Sequence, residues 1–490
     1  MPEPSRPTVL LVAHQGFAAR FLLRTDILTA LQDAGARVVA IVPNPTEAYL
    51  TAEMRDRAVE LEQLPASELE REPAGRSRRM LALLRKYQMG GARDSGALME
   101  KYRDMQAGLR PDQPVFARAV DAAMRVLWRS ARLRKGVLAL ETRLDRDKAY
   151  GEIFERVRPR LVVTTTPGFV RADVAALREA RRRGVTTATA IYSWDNPTSK
   201  GYRGADPDHI VAWSHRMADQ LVTHHDYPRD RITVAGVPHW DGYARPGELW
   251  DRKSLFARLG LDPALRTIVY ATASPSYFPR NVDVAAAIAS GIADGRLADA
   301  QLVVRLHPLG FQPRYEDSDA WRAPIEDYAA LEREHARVHV DVPEVMSRRL
   351  KCDVAPDDAA RLAGLLAHSD VVVNVFSSTT LEAFLLDRPV VMVCVDDDSS
   401  RALGYTHLQP VLHAAAIARS LDQVIDGISR YLAEPALHRE QRAAVARSEC
   451  GKPDGRAGRR TGSILARLGG LEPGSAERER EREQAARPVG

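Results

Sequence analysis

The chain is 490 residues long, with 45% hydrophobic and 28% charged residues and a formal net charge of +5. That length is too great for one ordinary core, so two domains are expected, and the composition is that of a soluble globular chain. No window approaches the ~18 uninterrupted apolar residues of a membrane span, and MPEPSRPTVLLVAHQG lacks a signal-peptide pattern, which leads to a cytoplasmic expectation.

The first element, TVLLVA (8–13), is a short apolar, partly β-branched run ending in HQGF. RTDILTALQDAG then reads as a helix stopped by Gly35, and RVVAIV as a second strand, which makes a β-α-β unit. The pattern resumes in RLVVTT, TTATAI, HIVAW and RITVAG, separated by helical stretches such as VAALREARRRG. Between the second and third of these strands lies a mostly helical insertion, about 50–155. Its residues 71–135 hold sixteen Lys/Arg against six Asp/Glu, interleaved with Met80, Leu81, Leu83, Leu84, Val126, Leu127 and Trp128. It reads either as a solvated helical subdomain or as a basic amphipathic surface for anionic lipid or an anionic acceptor.

GVPHWDGYARPGELWDRKSLFARLG (236–260) mixes Gly, Pro and aromatics, and the domain boundary is placed there. The division expected is 1–240 for an N-terminal, acceptor-side domain, 241–256 for the linker, 257–468 for a C-terminal donor domain and 469–490 for a disordered charged tail. The second domain repeats the alternation in TIVYAT, QLVVRL, RVHVDV, DVVVNV and PVVMVCV. The fold class expected is α/β, two Rossmann-like doubly wound domains facing across a cleft, with ligands at the carboxyl ends of the strands. Cys352, Cys394 and Cys450 are far apart without metal-ligand spacing, and reduced core thiols are the simplest reading.

Four segments carry chemistry. In NVFSSTTLEAF (374–384), Ser377, Ser378, Thr379 and Thr380 stand where a buried strand turns into a helix. Thr379 and Glu382 have capping-box spacing, yet one cap uses one hydroxyl. Neighbouring hydroxyls and free N–H groups at a helix start would seat a phosphate. In VVRLHP (303–308), Arg305 and His307 share one face at the end of a strand, suited either to an anion or to a structural ion pair and a turn. IYSWDNPTSKGY (191–202) crowds Trp194, Asp195, Asn196, Ser199 and Lys200 into a loop at the sheet edge, where Asp195 could be a general base or bind a substrate hydroxyl; Asn196-Pro197 is ordinary turn chemistry. His14 follows the first strand, where a base would activate a hydroxyl nucleophile, and Gly16 allows close backbone approach. GKPDGRAGRR (451–460) reads by default as solvated surface, and DDDSS (396–400) as a solvated acidic loop rather than a metal site.

The succession SWDNPTSKG, ADPDHIVAWSHRM, ITVAGVPHWDGY, VVRLHP, LAGLLAHSDVVVNVFSSTTLEAFLLDRPVV and DGRA resembles bacterial surface-carbohydrate glycosyltransferases of the GT-B fold, near the CDP-glycerol glycerophosphotransferase and UDP-N-acetylglucosamine 2-epimerase groups. The resemblance covers about 160–465 and the first β-α-β unit. It implies a nucleotide-sugar donor held by the C-terminal domain, with Ser377, Ser378, Thr379, Arg305 and His307 at its phosphates, Glu382 at its ribose and His14 near the base's position. The implied reaction is sugar transfer to a saccharide or lipid-linked acceptor hydroxyl in surface polysaccharide or glycolipid synthesis, on the inner face of the membrane, with no obligatory cofactor or metal and no nucleic acid. Polyol-phosphate transfer, nucleotide-sugar epimerisation and a non-catalytic nucleotide-sugar-binding scaffold are the alternatives.

Overall fold

A computed structural model of the chain describes residues 6–65, 69, 75–145, 147–245, 247–311, 324–347 and 349–471. Two compact units are present: one comprises Met1–Asp94, Leu98–His239 and Arg456–Gly490, the other Ser95–Ala97 and Trp240–Gly455.

The first unit is built on β1 (Thr8–Val12), β2 (Arg37–Val42), β3 (Val59–Gln63), β4 (Leu161–Thr164), β5 (Thr186–Ala190), β6 (His209–Ala212) and β7 (Ile232–Val234). They form one parallel sheet in the order β3-β2-β1-β4-β5-β6-β7. Every residue of β1 is buried, as a strand covered on both faces by helices requires. Helix Asp26–Asp33 begins at Thr25, whose hydroxyl accepts the N–H of Ile27, and the chain leaves it through Gly35 at φ +84°. Chain order reverses between β1 and β4, so the loops after these two strands flank the switch point.

β3 falls inside the stretch read from sequence as helical. VELEQ buries only Val59 fully at the sheet edge and lacks the apolar run that marked the other strands. The helical body consists of Arg76–Tyr87, Gly96–Leu109, Pro114–Leu127 and Ala131–Leu144. It has its own core, including Tyr87, Met89, Leu98, Tyr102, Met124 and Leu127. Buried ion pairs fasten it: Arg134 Nη2 lies 2.6 Å from Asp226 Oδ1, and Arg85 Nε 2.6 Å from Glu141 Oε2. Gly201, at φ +90°, passes so close to this body that a Cβ would stand 2.2 Å from the Lys86 carbonyl oxygen.

Helix Ala457–Leu468 also belongs to the first unit and packs on Asp26–Asp33. A Cβ on Gly462 would meet that of Ala30 at 2.5 Å, so the two backbones approach where only glycine fits. The domain end expected at 468 thus differs from the packing, because this helix reads locally like any other terminal helix. The tail expected to be disordered lies, from 472 onward, outside the described residues.

The second unit holds β8 (Arg266–Ala271), β9 (Ala300–Arg305), β10 (Val338–Asp341), β11 (Val371–Asn374), β12 (Val390–Val393) and β13 (Ala416–Ala418). Their parallel order is β10-β9-β8-β11-β12-β13, with the switch point between β8 and β11. Valines, leucines and isoleucines of these strands pack against Val284, Ile288, Val424 and Ile428 in one continuous core. All three cysteines are free and buried.

Candidate functional site

In the first unit the loop after β1 places His14 at the switch point. Its Nδ1 lies 3.5 Å from Oδ1 of Asp173, which the first turn of helix Arg171–Arg182 carries below the β4 loop. Asp173 is fully buried, and its other oxygen accepts the backbone N–H (3.0 Å) and hydroxyl (2.6 Å) of Thr166. Both ring nitrogens of His14, Oδ1 of Asp173 and the hydroxyls of Thr165 and Tyr150 are buried without a hydrogen-bond partner among the described residues. Burial, then the charges of Asp173 and Asp147, pushes the Tyr150 phenol well above its ordinary range, so it stays protonated. Gln15 donates to the Tyr192 hydroxyl at 2.6 Å, tying the β1 loop to the β5 loop. An imidazole beside a fixed carboxylate has the chemistry to exchange a proton with a bound hydroxyl. Asp173, Thr165 and Tyr150 were not singled out in the sequence. Asp173 had a signal, an acid in the first turn of a helix after a strand, but that signal also fits a simple dipole interaction.

The SWDNPTSKG segment is placed otherwise than expected. Asp195 Oδ1 accepts from Ser193 (2.6 Å), while Oδ2 accepts from Ser199 (2.6 Å) and lies 3.0 Å from Lys200 Nζ. With both oxygens engaged locally, Asp195 holds its own turn. Trp194, Asn196 and Ser199 are buried, and only Lys200 is exposed. The carbonyl of Ser199 accepts from Lys101 Nζ at 2.9 Å, and that of Pro197 meets His225 Nε2 at 2.7 Å. These residues seat the helical body on the sheet.

In the second unit, Phe376 takes φ +45° as β11 ends, and the chain enters helix Thr379–Leu385 with Ser378 as N-cap. The capping box expected from Thr379 and Glu382 is not formed: Thr379 is the first helical residue, and Glu382 accepts the hydroxyl of Tyr243. The four hydroxyls divide. Thr380 is buried against Asn374 (3.0 Å), Ser377 Oγ accepts the N–H of Thr379 (3.2 Å) and meets its hydroxyl, and exposed Ser378 has no partner among the described residues. The N–H groups of Ser377 and Ser378 also have none there, so a left-handed residue precedes two open donors. Such a concave backbone suits an anion. Ser274 and Ser276, 3.1 Å apart after β8, add hydroxyls on the other side of the switch point that were missed in the sequence.

Arg305 and His307 separate in role. Arg305 is 4% exposed, with Nη1 2.6 Å from Asp341 and Nη2 2.5 Å from Asp358. Arg361 closes the ring, at 2.8 Å from each of the same two carboxylates. Burial opposes charge on Arg305, but the two carboxylates outweigh it and hold its pKa above the ordinary range. Arg305 is therefore part of a neutralised buried ring, and the direct diphosphate contact expected of it is corrected to a scaffold role. His307 accepts the Leu309 N–H on Nδ1 (3.1 Å), while its backbone N–H reaches the Thr272 hydroxyl (2.9 Å). Burial first, then Arg305 and Lys351, lowers its pKa to about 4. It is thus a neutral imidazole at pH 7, with the proton on Nε2 as a donor, rather than the cation allowed for in the sequence. The acidic run after β12 is explained by local structure, since Asp396 and Ser399 form a reciprocal cap.

Two doubly wound parallel sheets with these switch-point loops define the α/β class of GT-B proteins. Solved structures bear this out. S. aureus MnaA in complex with UDP matches with a TM-score of 0.52 and 12% identity over 95% of this chain and 99% of that one. The UDP-GlcNAc 2-epimerase of Neisseria meningitidis bound to UDP-GlcNAc matches with a TM-score of 0.52 and 12% identity over 94% and 100%. No family model matches the chain, and no curated protein matches it in sequence. The likeness is one of fold.

Proposed function

We propose that the chain is a glycosyltransferase that moves a sugar from a nucleotide-activated donor to a hydroxyl of a saccharide or lipid-linked acceptor in surface-carbohydrate synthesis. The observation that carries this reading is the buried His14–Asp173 pair at the switch point of the first sheet. In this mechanism His14 Nε2 takes the proton of the acceptor hydroxyl as the oxygen bonds to the anomeric carbon. The bond from that carbon to the nucleotide breaks, and its electron pair leaves on the diphosphate. In the second unit, the N–H groups of Ser377 and Ser378, the Ser378 hydroxyl and the neutral Nε2–H of His307 are donors of the kind a diphosphate takes. A nucleoside diphosphate is in keeping with the UDP and UDP-GlcNAc of the two similar structures.

An anionic membrane surface is the proposed setting. Leu133, Leu140 and Leu144 are 47%, 47% and 40% exposed, and their spacing puts them in one line along helix Ala131–Leu144. Arg132, Lys135 and Arg143 are exposed on the same helix, a composition suited to an interfacial helix on anionic lipid. No helix among the described residues is long and apolar enough to cross a membrane.

The test is direct. Nucleoside diphosphates should raise the melting temperature, and a nucleotide sugar should be consumed only when an acceptor is present. His14→Gln should keep the thermal shift and lose turnover. No shift with any nucleoside diphosphate would overturn the reading; an epimerised sugar released without acceptor would replace it with epimerisation. In flotation with anionic vesicles, Leu140→Glu should lower the bound fraction.

A further inference from the structure

The helical body of the first unit carries a cavity of about 510 Å³ that the reaction above does not use. That volume lies within the ~300–1,000 Å³ usual for small-molecule sites. Arg93, Arg103, Arg110 and Arg125 line it together with Tyr102 and Trp128. None of the four guanidinium groups has a carboxylate partner among the described residues; Arg125 reaches only the Asp121 carbonyl at 3.4 Å, and Arg93 lies over the Trp128 ring at 5.5 Å. Elsewhere in this unit, Arg24, Arg85, Arg134, Arg156 and Arg178 each meet a carboxylate. Four unpaired guanidinium groups around one cavity repel each other, and a bound anion relieves that repulsion.

The floor is fixed. Trp128 Nε1 donates to the Tyr87 carbonyl at 2.8 Å, and the Tyr102 ring meets the indole edge-on at 5.3 Å. The carboxylate in the lining, Asp121, accepts the Tyr102 hydroxyl at 2.6 Å and is thereby engaged. Burial raises the Tyr102 phenol most, and the hydrogen bond to Asp121 raises it further. Gln106 adds an acceptor. Its Nε2 donates to the Tyr102 hydroxyl (2.9 Å) and to the Ala117 carbonyl (3.3 Å), which fixes the amide orientation. Its Oε1 then faces no donor among the described residues, although the side chain is 4% exposed and lines the cavity.

We propose that this cavity binds a phosphate or diphosphate ester of a sugar or polyol. The arginines take the phosphate oxygens, Gln106 Oε1 accepts a hydroxyl, and the Trp128 ring lies against the carbon skeleton. The site is separate from the donor-phosphate seat and stands whether or not the chain transfers sugars. A soluble sugar phosphate and a polyol-phosphate lipid headgroup share this chemistry.

The experiment uses the full chain and two probes: glucose 1-phosphate by calorimetry, with Trp128 fluorescence, and phosphatidylglycerol against phosphatidylcholine vesicles by co-sedimentation. Arg103→Gln/Arg110→Gln is compared with Arg76→Gln/Arg118→Gln, which removes equal charge from exposed positions outside the cavity. At least one probe should bind the parent chain, weaken by ~10-fold or more in the cavity variant, and change by less than ~3-fold in the control. Binding of glucose 1-phosphate marks a soluble ligand; a response confined to phosphatidylglycerol marks a headgroup. No binding of either probe overturns the proposal, as does equal weakening in both variants. Gln106→Leu should reduce the preference for glucose 1-phosphate over inorganic phosphate; an unchanged preference would remove the hydroxyl contact from the site.

Discussion

His14 Nδ1 lies 3.5 Å from Oδ1 of Asp173, a carboxylate with no exposed surface whose second oxygen is held by Thr166. In the proposed reaction the carboxylate would orient the ring and steady a proton arriving on Nε2. Asp173→Asn keeps the volume and removes the charge. It should lower kcat by ~10²–10⁴-fold, the range of a lost acid–base contribution, while nucleotide binding changes little. A change in KM alone, with kcat intact, would assign Asp173 to folding rather than to the histidine.

His307 is neutral at pH 7, its pKa lowered to about 4 by burial, Arg305 and Lys351. Its contribution to diphosphate binding should therefore stay flat from pH 8 to 5 and change only as the ring gains its proton nearer 4. A cationic histidine would instead bind more tightly as pH fell through ~6.5. Titration calorimetry across that range decides between the two. His307→Gln should preserve more affinity than His307→Ala, since the amide can still donate.

Ser378 and Thr380 are two residues apart with opposite assignments. Thr380 is fully buried and bonded to Asn374, whereas exposed Ser378 has an open hydroxyl. Thr380→Ala should destabilise by about 1–3 kcal/mol through the orphaned buried amide. Ser378→Ala should leave stability within ~0.5 kcal/mol and weaken nucleoside diphosphate by several-fold. Denaturant melts paired with binding isotherms give both readings.

The ring of Arg305, Asp341, Asp358 and Arg361 predicts a pH-dependent stability. Burial disfavours the Asp358 charge, but Arg305 and Arg361 outweigh it and hold its carboxyl below the ordinary carboxylate range. A depressed carboxylate stabilises the fold above the unfolded pKa and loses that effect as pH falls through the folded value. Asp358→Asn should therefore cost about 3–5 kcal/mol at neutral pH, the scale for breaking a buried pair, and progressively less below pH ~4. Urea melts of parent and variant at stepped pH check the convergence.

Much of this architecture was legible because buried parallel strands are written as short apolar runs; TVLLV, RVVAIV and DVVVNV could hardly be anything else. β3 was hidden because an edge strand has little burial to record, and β13 because it is three residues long. His14 and the Ser377 cluster drew attention because they follow strands at the carboxyl edge of a sheet, where loops collect chemistry. Their partners were not. Nothing near VVRLHP announces Asp341 and Asp358, and Thr379 and Glu382 match a capping box that tertiary contact with Tyr243 replaces. Local spacing reveals what a residue can do; which partner wins is settled by segments remote in sequence.

Helix Ala457–Leu468, closed onto Asp26–Asp33 through Gly462, completes a unit whose sheet is finished by β7. During synthesis, the ribosome must deliver all of residues 240–455 before that helix emerges. The nascent first unit therefore waits with an apolar helix face uncovered while the second unit has time to fold. Premature termination between β13 and that helix would leave both sheets intact and still expose this face, marking the fragment for chaperone binding or degradation.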